Sequence, residues 1–331
     1  MNPPGEEQFQ RQVYPSELKA IRARREVWGL DAGGLPEPAA GEPIAPDPAH
    51  GTAGLAFSGG GIRSAILNLG IAQALHERGV FAHVDYMSTV SGGGYLGASL
   101  STLMRRKTAG AAAPPLPGGS LKERFDWRIR PAAFLLEMGS RLDEVHRWVN
   151  LSDGGHIENM AAIELLRRRC KFVVIGDGEA DPELSFNGLA TLIRYARIDL
   201  GIRIDIDLDA LRLGDGRRSQ SHFAVGRIRY PFETEDGYLL YLKSSFSGDE
   251  DEVVKEYRAQ HPDFPHEPTA DQFFDEGQFE AYRALGQHVA ECALAYSPAE
   301  RMTFADVGSW FEELGRRAPN SPFREDAAAH S

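Results

Sequence analysis

Cysteine and long apolar runs are both scarce in this sequence. Its 331 residues include two cysteines, Cys170 and Cys292, which are too few for the disulfide framework of a small secreted domain. No apolar run approaches the roughly 20 residues that a membrane-spanning helix needs, and the first residues lack the apolar region of a signal peptide. We therefore expect a cytoplasmic protein of a reducing compartment, which touches membranes at most peripherally.

Positive charge is also in deficit. The chain has 36 lysines and arginines against 48 aspartates and glutamates, giving a formal net charge of −12, and it has no block of basic residues. Nucleic acids and anionic lipid surfaces both attract basic proteins through their bulk charge. We therefore expect no nucleic-acid partner, and any contact with a membrane must be apolar or locally basic.

Two segments between residues 55 and 94 repeat one order of elements. In each, an apolar run (55–57 and 84–90) predicts a buried strand, and a glycine cluster and a helical pattern follow. Two such units in succession predict an α/β fold with a central parallel or mixed sheet and helices on both faces. Both glycine turns should then emerge at the carboxyl edge of that sheet, where α/β proteins place their sites.

The second turn contains a candidate nucleophile, Ser91. The stretch Thr89-Val90-Ser91-Gly92-Gly93 follows the G-x-S-x-G pattern of a nucleophile elbow, with threonine in place of the first glycine. An elbow needs small neighbours because its serine occupies a sharp turn that pushes the hydroxyl out of the sheet. The glycines after Ser91 provide that room, whereas Thr89 departs from the pattern.

The first turn, Gly59-Gly60-Gly61, offers backbone N–H groups at the start of a predicted helix. The helix dipole adds positive potential at that position, so an anion is favoured there. Backbone donors aimed at a developing oxyanion are usually the largest single contribution to catalysis of acyl transfer. Together the two turns predict a nucleophile beside an oxyanion hole.

A dinucleotide site is the main alternative for the first turn. Gly59-x-Gly61-x-x-Ser64 resembles the dinucleotide-binding fingerprint, and Asp85 lies about the expected distance downstream. The acidic residue of that fingerprint should close the second strand, whereas Asp85 opens it. The dinucleotide interpretation is therefore disfavoured.

A third motif, Asp153-Gly154-Gly155, follows a long helical stretch and predicts a tight turn. With Ser58-Gly59-Gly60-Gly61-Ile62-Arg63 and the elbow at Ser91, it resembles the three motifs of the patatin-like phospholipases, in that family's order. The resemblance covers roughly residues 53–200. It implies a patatin-like three-layer fold and a serine hydrolase of the phospholipase A type that cleaves acyl esters of phospholipids or other lipids.

The resemblance also implies roles for particular residues. Ser91 would be the nucleophile, Asp153 the base, and Gly59, Gly60 and Gly61 the oxyanion hole, with no histidine, metal or cofactor. Arg63 matches a basic residue that is linked to the substrate phosphate in relatives of the cytosolic phospholipase type. A hydroxyl is a weak nucleophile without an adjacent base, so Asp153 would take the Ser91 proton during attack on the ester.

Two other functions stay open at this stage. One is a serine esterase with a Ser-Asp-His triad, for which His261, His266 and His288 lie suitably late in the chain. The other is a lipid-binding module without catalysis.

The segments around the three motifs predict the remaining organisation. Residues 1–50 are predicted to form an arm, with a charged helix at 15–30 and a Pro- and Gly-rich tether at 32–50. This arm is either a strap across the main domain or a lipid-facing or partner-facing segment. Residues 51–331 read as one hydrolase domain. Within it, 121–150 mixes aromatic and basic residues behind a low-complexity loop, so it is either a packing helix or a lid.

The second half of the chain predicts helices at 158–169 and 187–200 and a strand at 170–176. Alternating apolar residues at 202–208 predict an antiparallel or edge strand, and 222–230 and 237–244 predict two further strands. Residues 250–313 read as helical apart from a loop at 261–268. Asp177, Glu179 and Asp181 alternate like calcium-loop ligands, but Pro182 stands where that loop needs glycine, so we expect no metal.

Overall fold

The computed structural model describes residues 6–30, 34–38, 42–108, 153–297, 304–318 and 320–323. The candidate lid at 121–150 lies outside the described residues. The strands are β1 (Ala53–Phe57), β2 (Tyr86–Thr89), β3 (Phe172–Asp177), β4 (Arg203–Ile206), β5 (Phe223–Arg229) and β6 (Gly237–Lys243). The main helices are α1 (Tyr14–Val27), α2 (Gly61–Glu77), α3 (Gly92–Thr108), α4 (Ile163–Arg167), α5 (Asn187–Leu200), α6 (Glu252–Gln260), α7 (Glu276–Leu294) and α8 (Phe304–Arg317). Among the described residues, no helix is both long and apolar enough to cross a bilayer.

The six strands form one mixed sheet in the order β2-β1-β3-β6-β5-β4. The first four are parallel, while β5 is antiparallel to β6 and β4 is antiparallel to β5. This confirms the predicted α/β fold and the predicted antiparallel edge strand, which the structure gives as β4. Phe57 is in register with Thr89, so the glycine turn and the elbow leave adjacent strands at the same edge.

Each face of the sheet is covered by helices, because side chains along a strand point alternately to its two sides. On one face, Leu55 and Phe57 pack with the residues of α2, α7 and α8. On the other, Ala56 packs with α4 and α5. Cys170 is fully buried in this second cluster.

Helices α2 and α7 cross at very short range. A Cβ built on Gly70 would lie 2.0 Å from the carbonyl oxygen of Arg283, and one on Gly286 would lie 2.0 Å from that of Leu67. The two backbones therefore touch where only glycine fits. Because α2 starts at the glycine turn, α7 supports the helix that carries that turn.

The N-terminal helix α1 packs beside β2, the strand at the parallel edge of the sheet. Its buried side chains Tyr14, Leu18 and Ile21 form a small cluster with Leu35. The Arg25 guanidinium, also fully buried, donates to the Asp85 carboxylate at 2.6 Å, and Arg24 donates to the same carboxylate at 2.8 Å. These contacts agree with a strap, while the division of the chain at residue 50 stays a prediction.

The Asp85 pairing also counts against the dinucleotide alternative. The Asp85 carboxylate is fully buried and accepts from the Ala53 N–H at 2.9 Å as well as from the two arginines. It precedes β2, at the end of the sheet opposite the glycine turn. Asp85 therefore fastens the N-terminal helix and is not available to a ribose.

One predicted helix is much shorter than expected. The pattern at 158–169 predicted a long helix, but α4 spans only Ile163–Arg167. Ala161 has φ +59°, which interrupts a helix. The buried Glu158 carboxylate accepts from the N–H groups of Met160 and Ala162 instead, so this segment folds around an acidic side chain.

Candidate active site

Ser91 occupies a strained turn between β2 and α3. Its φ of +46° lies in the left-handed region that residues with a side chain rarely adopt, and the residue is exposed. A Cβ on Gly92 would lie 2.0 Å from the Gly61 carbonyl oxygen, and one on Gly93 would lie 2.3 Å from that of Phe57. The glycines therefore let the elbow press against β1 and the first turn, as the motif predicts.

Space for the Thr89 side chain comes from Gly97 on α3, one helical turn beyond the elbow motif. A Cβ on Gly97 would lie 2.7 Å from the Thr89 Cγ2 atom, so the absence of a side chain on α3 makes room for the threonine. The departure from G-x-S-x-G is thus compensated by a glycine on the facing helix.

Asp153 faces Ser91 from a tight turn. Its carboxylate accepts from the Gly155 N–H at 3.0 Å and caps the 3₁₀ turn Gly154–His156. The nearby Ser91 hydroxyl, followed by the bond from the Gly155 N–H, holds the pKa of Asp153 below its usual range, so the group is a carboxylate at neutral pH.

The three glycines of the first turn differ in what their N–H groups do. Gly59 donates to the Asn159 carbonyl oxygen at 2.9 Å. Gly60 is the N-cap of α2 and Gly61 is its first residue, so their amides have no acceptor within the helix. Gly60 and Gly61 are therefore the donors open to a ligand, and an oxyanion contact by Gly59 requires its bond to Asn159 to be exchanged.

An open cavity of about 310 Å³ joins these groups. It is lined by Gly60, Gly61, Ser91, Asp153, Gly155, His156, Asn159, Glu179, Ala180 and Thr269. The lining thus brings together the predicted nucleophile, the predicted base and two of the three predicted oxyanion glycines. None of the three histidines considered for a triad, His261, His266 and His288, lines the cavity, whereas His156 does.

Residues 55–164 match the family model described as "Patatin-like phospholipase". This segment, which contains the glycine turn, the Ser91 elbow and the Asp153 turn, is therefore similar to the patatin-like phospholipase family. No curated protein matches the chain.

Two solved structures are similar to this patatin-like chain. One is human GIVD cytosolic phospholipase A2 in complex with methyl gamma-linolenyl fluorophosphonate, at 12% identity and a TM-score of 0.49, with 92% of this chain and 64% of that one covered. The other is human GIVD cytosolic phospholipase A2, at 16% identity and a TM-score of 0.18, with 69% of this chain and 27% of that one covered. The patatin-like chain therefore spans less than two thirds of the length of either.

Asn159 connects the first glycine turn with the Asp153 turn and with the loop after β3. Its carbonyl holds Gly59, its side-chain amide donates to the Glu179 carboxylate, and a Cβ on Gly155 would lie 2.5 Å from its Oδ1 atom. No sequence motif points to this residue. Its position in the segment just after the Asp-Gly-Gly turn was the available signal, but the contact with Gly59 depends on tertiary packing.

The loop after β3 is held by a buried ion pair. Lys243 donates to the Asp177 carboxylate at 3.0 Å and to the Glu179 carbonyl oxygen at 3.2 Å, and Tyr241 donates to Asp177 as well. Burial is the main cause that raises the pKa of Glu179, and the neighbouring Asp177 charge raises it further. Asp181 accepts from the N–H groups of its own turn. Each of the three alternating acidic residues, Asp177, Glu179 and Asp181, therefore has its own hydrogen-bond partners.

Arg63 is buried behind the glycine turn, with 2% of its surface exposed. Its guanidinium donates to the Gly178 carbonyl oxygen at 2.9 Å, to the Glu267 carbonyl oxygen, and to the Thr269 hydroxyl at 3.0 Å. Burial lowers the pKa of Arg63. These contacts favour a positioning role, because Arg63 ties both the 178 loop and the 267–269 segment to α2, while a phosphate contact stays a prediction.

Replacing Arg63 by alanine should therefore affect all substrates alike. We expect the free energy of unfolding to fall by about 2–4 kcal/mol, since buried carbonyl oxygens lose a charged donor. Turnover of a phospholipid and of a neutral short-chain ester should fall by the same factor. The measurement is kcat/KM on both substrates with a chemical unfolding curve, and a loss confined to the phospholipid would instead establish a phosphate contact.

The glycine turn can be tested at Gly61, where φ is +64°. We expect Gly61→Ala to lower kcat by about 100- to 1000-fold with a smaller change in KM, because tilting an oxyanion donor weakens only the transition state. Gly216→Ala controls for the backbone conformation, since Gly216 has φ +68° and open space around its built Cβ, whereas a Cβ on Gly61 would also meet the Gln272 side chain at 2.3 Å. A change in KM alone would assign the turn to ground-state binding of substrate.

Proposed function

We propose that this chain hydrolyses acyl esters of lipids, phospholipids above all, through a Ser91–Asp153 dyad. The observation that carries the proposal is that Ser91 and Asp153 line one cavity together with Gly60 and Gly61, where the Ser91 hydroxyl also lowers the pKa of the Asp153 carboxyl. The match of residues 55–164 to the patatin-like phospholipase family model supports lipid esters as the substrate class.

The geometry supports a two-step reaction through an acyl-enzyme. Asp153 takes the Ser91 proton as Oγ attacks the ester carbonyl, and the N–H groups of Gly60 and Gly61 stabilise the oxyanion. Asp153 then gives that proton to the departing alcohol oxygen. In the second step a water loses a proton to Asp153 and attacks the acyl group, and Ser91 recovers its proton as the fatty acid leaves.

Contact with a lipid surface fits the elements that carry the dyad. Tyr95, on α3 beyond Ser91, and Ile157, beyond the Asp153 turn, are apolar and more than half exposed. Apolar insertion needs no positive charge, which agrees with the net charge of −12. We therefore propose that the chain meets its substrate peripherally, at the edge of a membrane or micelle.

The deciding experiment is hydrolysis of phosphatidylcholine vesicles by the purified chain, with products identified by mass spectrometry. We expect free fatty acid and lysophospholipid, together with covalent labelling of the Ser91 peptide by an alkyl fluorophosphonate. Binding to vesicles without labelling or product would identify a lipid-binding module. Cleavage of short-chain esters alone would identify an esterase.

The pH dependence separates a dyad from a histidine triad, for which His156 is the candidate that lines the cavity. The pKa of Asp153 is held below its usual range by the Ser91 hydroxyl and the Gly155 N–H, so protons should remove the base only below about pH 3.9. We expect kcat/KM on a soluble ester to persist down to the pH at which the chain unfolds. A loss of activity centred near pH 6.5, with the fold intact by circular dichroism, would indicate a histidine base.

A further inference from the structure

A second group of reactive side chains lies outside the active site. His222, Asp249, His288 and Cys292 come from the start of β5, the loop before α6 and the C-terminal half of α7. Each presents one donor atom, and the four atoms all lie within 4.8 Å of one another. His288 and Cys292 are four residues apart on one helix, which puts both side chains on the same face.

The donor atoms are spaced as in a tetrahedral metal site. The Asp249 Oδ1 atom is 3.1 Å from His222 Nε2 and 3.0 Å from His288 Nε2, and Cys292 Sγ is 3.6 Å from His288 Nε2. Around a zinc ion, ordinary bond lengths put nitrogen and oxygen donors about 3.3 Å apart, and nitrogen and sulfur about 3.6 Å apart. Three of the six donor-atom distances therefore lie within a few tenths of an ångström of the zinc values, and all six are within 4.8 Å.

The far side of the His222 ring is held as in a metal-binding histidine. Its Nδ1 atom is 3.0 Å from the Ser245 hydroxyl. That hydroxyl has carbonyl oxygens of Ser221 and Lys243 at 3.3 Å, which take its proton, so it accepts from the Nδ1–H group. The lone pair of Nε2 is thereby left facing Asp249, the arrangement that a metal ion between them would satisfy.

The turn that carries Asp249 is also prearranged. The buried Glu250 carboxylate accepts from the N–H groups of Ser247 at 2.7 Å and Gly248 at 2.8 Å, and Gly248 has φ +97°. This closes the loop over its own acidic side chain and aims Asp249 at the two histidines. The Asp249 side chain is 63% exposed, which leaves a path for an ion from solvent.

A second catalytic triad does not explain the cluster, although it contains serine, histidine and aspartate. In a triad the acid and the nucleophile contact opposite nitrogens of the ring. Here Ser247 and Asp249 both approach His222 Nε2, at 3.0 Å and 3.1 Å, while Nδ1 is taken by Ser245. Ser247 therefore has no oriented base.

We propose that His222, Asp249, His288 and Cys292 form a structural zinc site. Two imidazoles, a thiolate and a carboxylate suit zinc and not calcium or magnesium, which prefer oxygen donors. Cys292 loses its thiol proton to solvent on binding, so thiolate and carboxylate together balance the charge of the ion. Four protein ligands leave no open position for substrate, and the ion would fasten α7 to the end of the sheet where β5 begins and β6 ends.

The test is metal titration of the full chain after treatment with a chelator. Cobalt(II) should bind at one equivalent with a thiolate-to-cobalt absorption band, zinc should displace it, and zinc should raise the unfolding midpoint. Cys292→Ser should abolish the band. Ser245→Ala should weaken zinc binding by about 10- to 100-fold, as loss of a ligand's supporting bond does.

Controls separate this site from other thiols and imidazoles. Cys170→Ala and His261→Gln should bind cobalt as the unchanged chain does, and so should Ser91→Ala, which makes the result independent of hydrolysis. His288→Gln, checked for folding by circular dichroism, should lose zinc-dependent stabilisation. Absence of stoichiometric binding, or binding that survives both Cys292→Ser and His288→Gln, would overturn the proposal.

Discussion

Replacing Ser91 by alanine is expected to reduce ester hydrolysis by at least about a thousand-fold while leaving the chain folded. The substitution removes the oxygen that forms the acyl-enzyme in the proposed mechanism and leaves the Gly60 and Gly61 amides in place. It also removes no buried contact, because Ser91 is exposed. The remaining activity should reflect binding of the ester near the oxyanion donors alone.

Ser99 provides a matched control on the same helix. It is an exposed serine of α3 whose hydroxyl donates to the Tyr95 carbonyl oxygen at 2.9 Å. Ser99→Ala should retain turnover close to that of the unchanged chain. Measured kcat for both variants on one phospholipid and one short-chain ester tests the assignment, and full activity in folded Ser91→Ala would remove Ser91 from the mechanism.

Asp153→Asn should be nearly as damaging, at about a thousand-fold or more in kcat. Asparagine keeps the size of the side chain and its acceptor for the Gly155 N–H, so the turn should survive. Its amide, however, does not take a proton from the Ser91 hydroxyl. The loss should therefore appear in turnover and not in thermal stability.

Asp207→Asn is the matched control for this change. Asp207 is exposed, and its carboxylate accepts from the N–H of Asp209, two residues along, as the Asp153 carboxylate accepts from Gly155. Single replacements of His156, His261, His266 and His288 should each retain substantial activity. A near-total loss at one folded histidine variant would convert the dyad into a triad.

His261 and His266 are engaged elsewhere in the structure. Burial lowers the pKa of His266 to about 3, and its Nδ1 atom accepts from the Asp181 N–H at 3.2 Å. His261 stacks on Tyr257 with ring centroids 4.0 Å apart. Neither ring is placed to take a proton from Ser91, which supports the aspartate as the base.

Much of the fold followed from periodicity and glycine turns. The strand predicted at 170–176 is β3, the helix predicted at 187–200 is α5, and the alternating run at 202–208 contains the edge strand β4. The local sequence determines these elements. An alternating pattern buries its apolar side chains only when one particular face of the strand is turned to the core, and an apolar run suits a strand that is buried on both faces. The length of α4 was not predictable in this way, since Glu158 bonds backbone groups that a helix would use.

In the candidate site, too, some features follow from the sequence and others depend on tertiary structure. The sequence by itself determined the elbow at Ser91, the glycine turn and the Asp153 turn, because each needs residue types that few other local structures require. Only the tertiary structure decided that the Gly59 amide is occupied by Asn159, that Arg63 is buried behind the turn, and that Thr269 closes one side of the cavity. The proposed zinc site depends on tertiary structure even more, since its four ligands are scattered from residue 222 to residue 292. They meet only because α7 packs beside the start of β5 and the end of β6.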